Sequence, residues 1–97
     1  MQVEDSTVIE RTSTPPEVSL SDAQWVLLDI AGAVYYTLEG AVAIRVWQLL
    51  ATPQSFLTLI EALIDEFDID RVRCREETAQ YLQALLIKGL VRKTASL

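Results

Sequence analysis

The chain has no histidine and a single cysteine, Cys74, among its 97 residues. Without histidine it lacks the commonest general base and the commonest metal ligand. One cysteine excludes an internal disulfide framework, fits a reducing compartment and cannot make a thiolate zinc site. Only three glycines occur, Gly32, Gly40 and Gly89, all isolated, so there is no phosphate-cradling loop. No apolar run reaches the roughly 18–20 residues of a bilayer span. The N-terminal MQVEDSTVIERTST carries no apolar signal core. These absences lead us to expect a cytoplasmic protein with no membrane segment, no cofactor, no metal site and no catalytic residues.

Bases are scarce too, and unevenly placed. Residues 1–70 hold twelve acids against two bases, and residues 71–97 two acids against six bases, for a net charge of −6. The basic patch beginning at Arg71, Arg73 and Arg75 sits on an acidic body that repels a phosphate backbone. Its plain reading is a solvated helix start. Asp65, Glu66, Asp68 and Asp70 lack the spacing and the glycine of a calcium loop, and read as capping and solvated residues. Cys74 falls on a predicted buried stripe and reads as packing.

Hydrophobic residues make up 51% of the chain, ample for one domain. Residues 1–14 show no periodicity and predict a mobile tail. Pro15-Pro16 sets an extended entry to a domain over 15–93, with 94–97 as a short C-terminal tail. Val18 and Leu20 alternate with polar neighbours, the period of a half-buried strand. The run from Trp25 to Ile30 predicts a second strand, Ala31-Gly32-Ala33 a tight reversal, and Val34 to Leu38 a third strand. Alternation is taken to put Val26, Leu28 and Ile30 with Tyr36 and Leu38 on the core face. Trp25, Leu27, Tyr35 and Thr37 then share the other, itself too apolar for simple solvation.

Glu39-Gly40 breaks the third strand, and a helix apolar almost all round runs over about 41–51, with Val42, Val46, Trp47 and Leu50 central. Thr52-Pro53 reads as the start of a second helix, with Phe56, Ile60, Leu63, Ile64 and Phe67 as its apolar stripe. Asp68-Ile69-Asp70 leads into a third helix over about 71–88, with Cys74, Thr78, Tyr81, Leu82, Leu85 and Leu86 on its apolar side. Gly89 reads as the residue that closes its C-terminus. The fold class predicted is α+β and winged-helix-like, a three-stranded antiparallel sheet followed by three helices. That order makes a DNA-binding regulator the rival reading. Glu76 and Glu77, directly after the three arginines, weaken it.

The run WVLLDIAGAVYYTLEGAVAIRVWQLL, the helix at Pro53, FDID and the ending YLQALLIKGLV together resemble the D proteins of PQQ biosynthesis. Related domains are the RiPP recognition elements, which bind precursor leader peptides. The matching positions are Leu27-Leu28-Asp29, Gly32, Tyr35-Tyr36 with Leu38, Val46-Trp47 with Leu49-Leu50, and Gly89-Leu90-Val91, so the likeness covers about residues 17–92. The family usually has Asn after the strand leucine, where this chain has Glu39. In size the chain is most similar to the stand-alone leader-binding protein of lasso-peptide biosynthesis, which works with a separate leader peptidase and a cyclase.

The resemblance implies a non-catalytic role in which a leader peptide adds as an antiparallel strand to the sheet edge. Its side chains would enter a groove against the third helix. The residues implied are Val34, Tyr35, Tyr36, Thr37 and Leu38 on the strand, and Arg75, Thr78, Ala79, Leu82 and Leu86 on the helix. Tyr35 and Thr37, on the far face of the strand, would make contact through their backbone. Leu38, Tyr36 and Leu82 read equally well as core. A Tyr-x-x-Pro pattern in the leader would supply a ring and a pyrrolidine for apolar pockets. Arg71 and Arg75 would pair with leader acids.

Overall fold

A computed structural model describes residues 4–12, 15–29 and 34–94. Strand β1 is Val8–Arg11, followed by β2 (Glu17–Ser21), β3 (Gln24–Asp29) and β4 (Val34–Glu39). Helix α1 (Ala41–Leu49), strand β5 (Gln54–Ser55), helices α2 (Phe56–Glu66) and α3 (Arg71–Ile87), and strand β6 (Val91–Thr94) complete the order. The fold is α+β. Strands β2-β3-β4 form the expected antiparallel sheet ahead of three helices, and a second antiparallel sheet has the order β5-β1-β6.

The second sheet was not foreseen. Where the sequence suggested a mobile tail, Val8–Arg11 is the central strand of that sheet, with Ile9 opposite Lys93 and Arg11 opposite Val91. Ile9 is fully buried. Four residues alone carry too little pattern to announce a strand, and the pairing partners come from the middle and the far end of the chain. The same segment closes the start of α2: the amides of Phe56 and Leu57 donate to the carbonyls of Thr7 and Asp5 at 2.8 and 3.1 Å.

The first sheet corrects the expected faces. Trp25 stands opposite Leu38, Leu27 opposite Tyr36, and Asp29 opposite Val34. Leu27 and Leu38 are buried, and Trp25 and Tyr36 pack against the core. Val26 and Leu28 therefore face outward with Tyr35 and Thr37. A three-residue turn at 31–33 would have paired Ile30 with Val34; the observed register leaves four residues, 30–33, between the last partners. One residue of slip turns every side chain of a strand to the opposite face. The Gly32 turn and Ile30 lie outside the described residues.

Strand β2 is likewise turned over. Val18 pairs with Val26 and faces out, while Glu17 pairs with Leu27 and faces in. Every residue of β2 is exposed, in place of the half-buried strand expected. The inward Glu17 is satisfied by the Trp47 indole, whose Nε1 donates to Oε1 at 2.7 Å.

Helix boundaries follow their caps. Gly40, at φ 93°, joins β4 to α1 with no side-chain cap, so Glu39 belongs to the strand rather than to the helix cap. Helix α2 begins later than Thr52-Pro53 suggested, because Ser55 is its cap and accepts from the Thr58 amide at 3.1 Å. Asp70 caps α3 through the Arg73 amide at 3.1 Å. At the other end, Gly89 (φ 75°) and Leu90 donate to the carbonyls of Leu86 and Leu85, the paired 5→2 and 6→1 closure that a left-handed glycine permits. Trp47, Phe56, Leu63, Leu82 and Leu85 fill the centre of the core with Leu27 and Leu38.

Candidate functional site

Strand β4 ends its sheet, and its far side has no strand beside it among the described residues. Two hydrogen bonds reveal which of its groups are open. The Gly40 amide donates to the Ala23 carbonyl at 2.7 Å, and the Leu28 amide to the Pro16 carbonyl at 2.9 Å. Amide and carbonyl of one residue point to the same side of a strand, and the side alternates. Even-numbered β3 residues therefore bond toward β2, odd-numbered ones toward β4, and the partners in β4 are the even-numbered Tyr36 and Leu38. The amides and carbonyls of Tyr35, Thr37 and Glu39 are left pointing to the open edge. An edge of this kind is a template for an extended chain.

The side chains divide the opposite way. Tyr35, 68% exposed, and Thr37 face outward, whereas Tyr36 and Leu38 face the helices. The backbone of Val34 begins the strand opposite Asp29. Leu38 is buried in the core. Tyr36 is half-buried, and burial raises its phenol pKa, with the Tyr81 phenol of α3 raising it further. Tyr81 is raised in turn by burial and then by Glu77, one helical turn before it. Tyr36 and Tyr81 thus stand close enough to sense each other across the space between β4 and α3.

The helix residues named from the sequence fall in two groups. Thr78 and Leu82 are fully buried, and the Thr78 hydroxyl lies 3.9 Å from Cys74 Sγ. Arg75 forms an ion pair with Asp5 at 2.7 Å and lies 5.1 Å from the centroid of the Phe56 ring. Ala79 and Leu86 are partly buried against the core. At about 100° per residue, Arg75, Ala79 and Leu86 lie roughly 120–160° around α3 from Tyr81. Tyr81, whose place on the apolar stripe concealed its polar tip, is the α3 residue whose charge bears on Tyr36, and sequence reasoning missed it.

Burial pushes the Cys74 thiol pKa up, which disfavours the thiolate. Among the described residues no group of histidine, cysteine or carboxylate side chains could hold a metal ion, and no helix is long and apolar enough to cross a membrane. The three arginines at the start of α3 are all engaged: Arg71 with Glu61 at 2.9 Å, Arg73 with Glu77 at 2.9 Å, and Arg75 with Asp5 at 2.7 Å. The arrangement offers an open strand edge beside a pair of phenols.

The family model described as "Coenzyme PQQ synthesis protein D (PqqD)" matches residues 24–91. Among solved structures, "TbiB1 in Complex with the TbiA(beta) Leader Peptide" is similar, with a TM-score of 0.74 and 25% sequence identity, covering 90% of this chain and 99% of that one. A comparison with curated proteins finds no match.

Proposed function

The chain belongs to the PqqD family, and on that premise we propose that it is a RiPP recognition element that binds a precursor's leader peptide as a strand added to β4. The observation that carries this reading is the open edge at Tyr35, Thr37 and Glu39, where main-chain donors and acceptors point away from β3. The similar TbiB1 was solved with a leader peptide, which supports the same use of this fold. Main-chain pairing supplies affinity with little choice of sequence, so selectivity comes from side chains beside the edge. Tyr36 and Tyr81 are candidates for that role, apolar rings with polar tips suited to an aromatic or proline side chain of the leader.

In this reading the protein is a non-catalytic, cytoplasmic carrier. It delivers its precursor to a separate leader peptidase and cyclase of a lasso-peptide pathway. Duplex DNA is a poorer ligand, because Arg71, Arg73 and Arg75 already have acidic partners and the chain is acidic overall.

The test is proline at the edge. Thr37→Pro removes an amide that β3 does not use, and proline is tolerated on edge strands. Its affinity for a synthetic leader peptide should fall at least about tenfold, equivalent to about 1.4 kcal/mol, with the melting transition retained. Tyr36→Pro removes an amide bonded to β3 and should disrupt the sheet itself. Unchanged leader affinity in a folded Thr37→Pro protein overturns strand addition at β4.

A further inference from the structure

Glu39 is the only charged residue of β4, at the end where the strand meets Gly40. It is exposed. Its amide and carbonyl point to the open edge, and alternation sets its side chain outward, in one row with Tyr35 and Thr37. On the β3 side it stands opposite Gln24, which carries no charge. Each of the six arginines pairs with some other carboxylate, and neither lysine pairs with Glu39. Among the described residues, the one charge on the open strand is therefore left without a counter-charge.

We propose that Glu39 decides which leaders bind, and in which register, by pairing with a lysine or arginine of the added strand. The proposal rests on the leader-binding reading above and names a charge which that reading leaves open. Residues directly opposite in an antiparallel pair turn their side chains to the same face, with Cβ atoms about 4.5–5.5 Å apart. The leader residues opposite Tyr35, Thr37 and Glu39 are therefore two apart and run backwards along the leader. The one opposite Glu39 comes four residues before the one opposite Tyr35.

A cation at that position meets the carboxylate. An acid there meets a like charge, which destabilises a directly opposed pair. Main-chain pairing is nearly blind to sequence, and Tyr35 and Thr37 are uncharged, so this position carries the charge selection along β4. The same pair pins the register. A slip by one residue turns every leader side chain to the opposite face. A slip by two keeps the faces but carries the cation away from Glu39. A leader laid parallel to β4 takes its cation to the Val34 end instead.

The probe is a series of fluorescein-labelled synthetic leader peptides carrying lysine or glutamate at each position in turn, with binding read by anisotropy. Wild type should show one position at which lysine binds about fivefold more tightly than glutamate. The pair is exposed, so about 0.5 M salt should shrink that preference. Glu39→Gln keeps the shape and removes the charge, and should bring the preference at that position below about twofold. Glu39→Lys should invert it there and at no other position. Asp65→Asn removes the same charge from an exposed site on α2 and should leave the preference intact. An equal loss in Asp65→Asn assigns the preference to net charge and overturns the role of Glu39. A preference that survives Glu39→Gln overturns it as well, with leader binding itself left standing. A wild-type chain that binds none of the peptides overturns the leader reading and this proposal together.

Discussion

Arg11 lies over Trp47, with its guanidinium carbon 3.9 Å from the ring centroid. It donates to the Trp47 carbonyl and pairs with Glu17 at 3.5 Å, while the indole Nε1 donates to the same Glu17 oxygen at 2.7 Å. One residue from each of β1, β2 and α1 thus meets in a single cluster that joins the two sheets. Burial lowers the Arg11 pKa, and Glu17 works against that shift.

Removing this clamp should loosen the two sheets. We expect Arg11→Ala to lower stability by roughly 2 kcal/mol through loss of the stacked cation and its hydrogen bonds. Arg11→Lys should recover less than half, because an ammonium cannot lie flat on the ring while reaching both oxygens. Urea denaturation measures both, and full recovery by lysine would show that charge alone matters.

The Tyr36–Tyr81 pair predicts a pH dependence. Burial raises both phenol pKa values, with Tyr81 adding to the effect on Tyr36 and Glu77 to that on Tyr81. A folded pKa above the unfolded value of about 10 means that the stabilisation is full below that pH. It is lost as pH rises through the folded values, so stability should decline above about pH 10. Tyr36→Phe and Tyr81→Phe should each remove a late component from the tyrosinate absorbance titration. A late component untouched by either substitution would contradict the pairing.

Ile9 provides a sharper test of the N-terminal strand. Ile9→Ala removes a fully buried side chain and should cost roughly 2–5 kcal/mol, as large-to-small core changes do. The denaturation midpoint reads this directly. A change below about 0.5 kcal/mol, as for an ordinary surface site, would mean that residues 8–11 add little to the fold.

The start of α2 separates two candidate caps. Ser55→Ala should cost about 1 kcal/mol, since its hydroxyl accepts from the Thr58 amide. Thr52→Ala, three residues earlier and exposed, should stay within about 0.5 kcal/mol. Thermal melts of the two variants decide between them.

Local patterns marked most of this architecture correctly because they act over short distances. Alternation marked β2, β3 and β4; helical spacing and end residues marked the three helices, including Asp70 at the start of α3 and Gly89 past its end. The Thr52-Pro53 start was displaced because the chain first enters the two-residue strand β5 beside β1. Strand β1 itself was illegible, since its stability comes from partners distant in sequence.

The candidate site divides along the same line. That β4 is a strand, and that Tyr35 and Thr37 share the face opposite Tyr36 and Leu38, could be read from alternation within one segment. Which face of β3 meets the core depended on one residue of loop length, and a local pattern cannot count it across a turn. The ion pair of Arg75 with Asp5 and the influence of Tyr81 on Tyr36 could not be read from the sequence, because only the fold brings those segments together. Composition and periodicity sufficed for an acidic α+β chain with a strand at Val34 to Leu38 and three helices after it. Register, the second sheet and the residues beside that edge arise from contacts between distant segments, whose energy no single stretch of chain encodes.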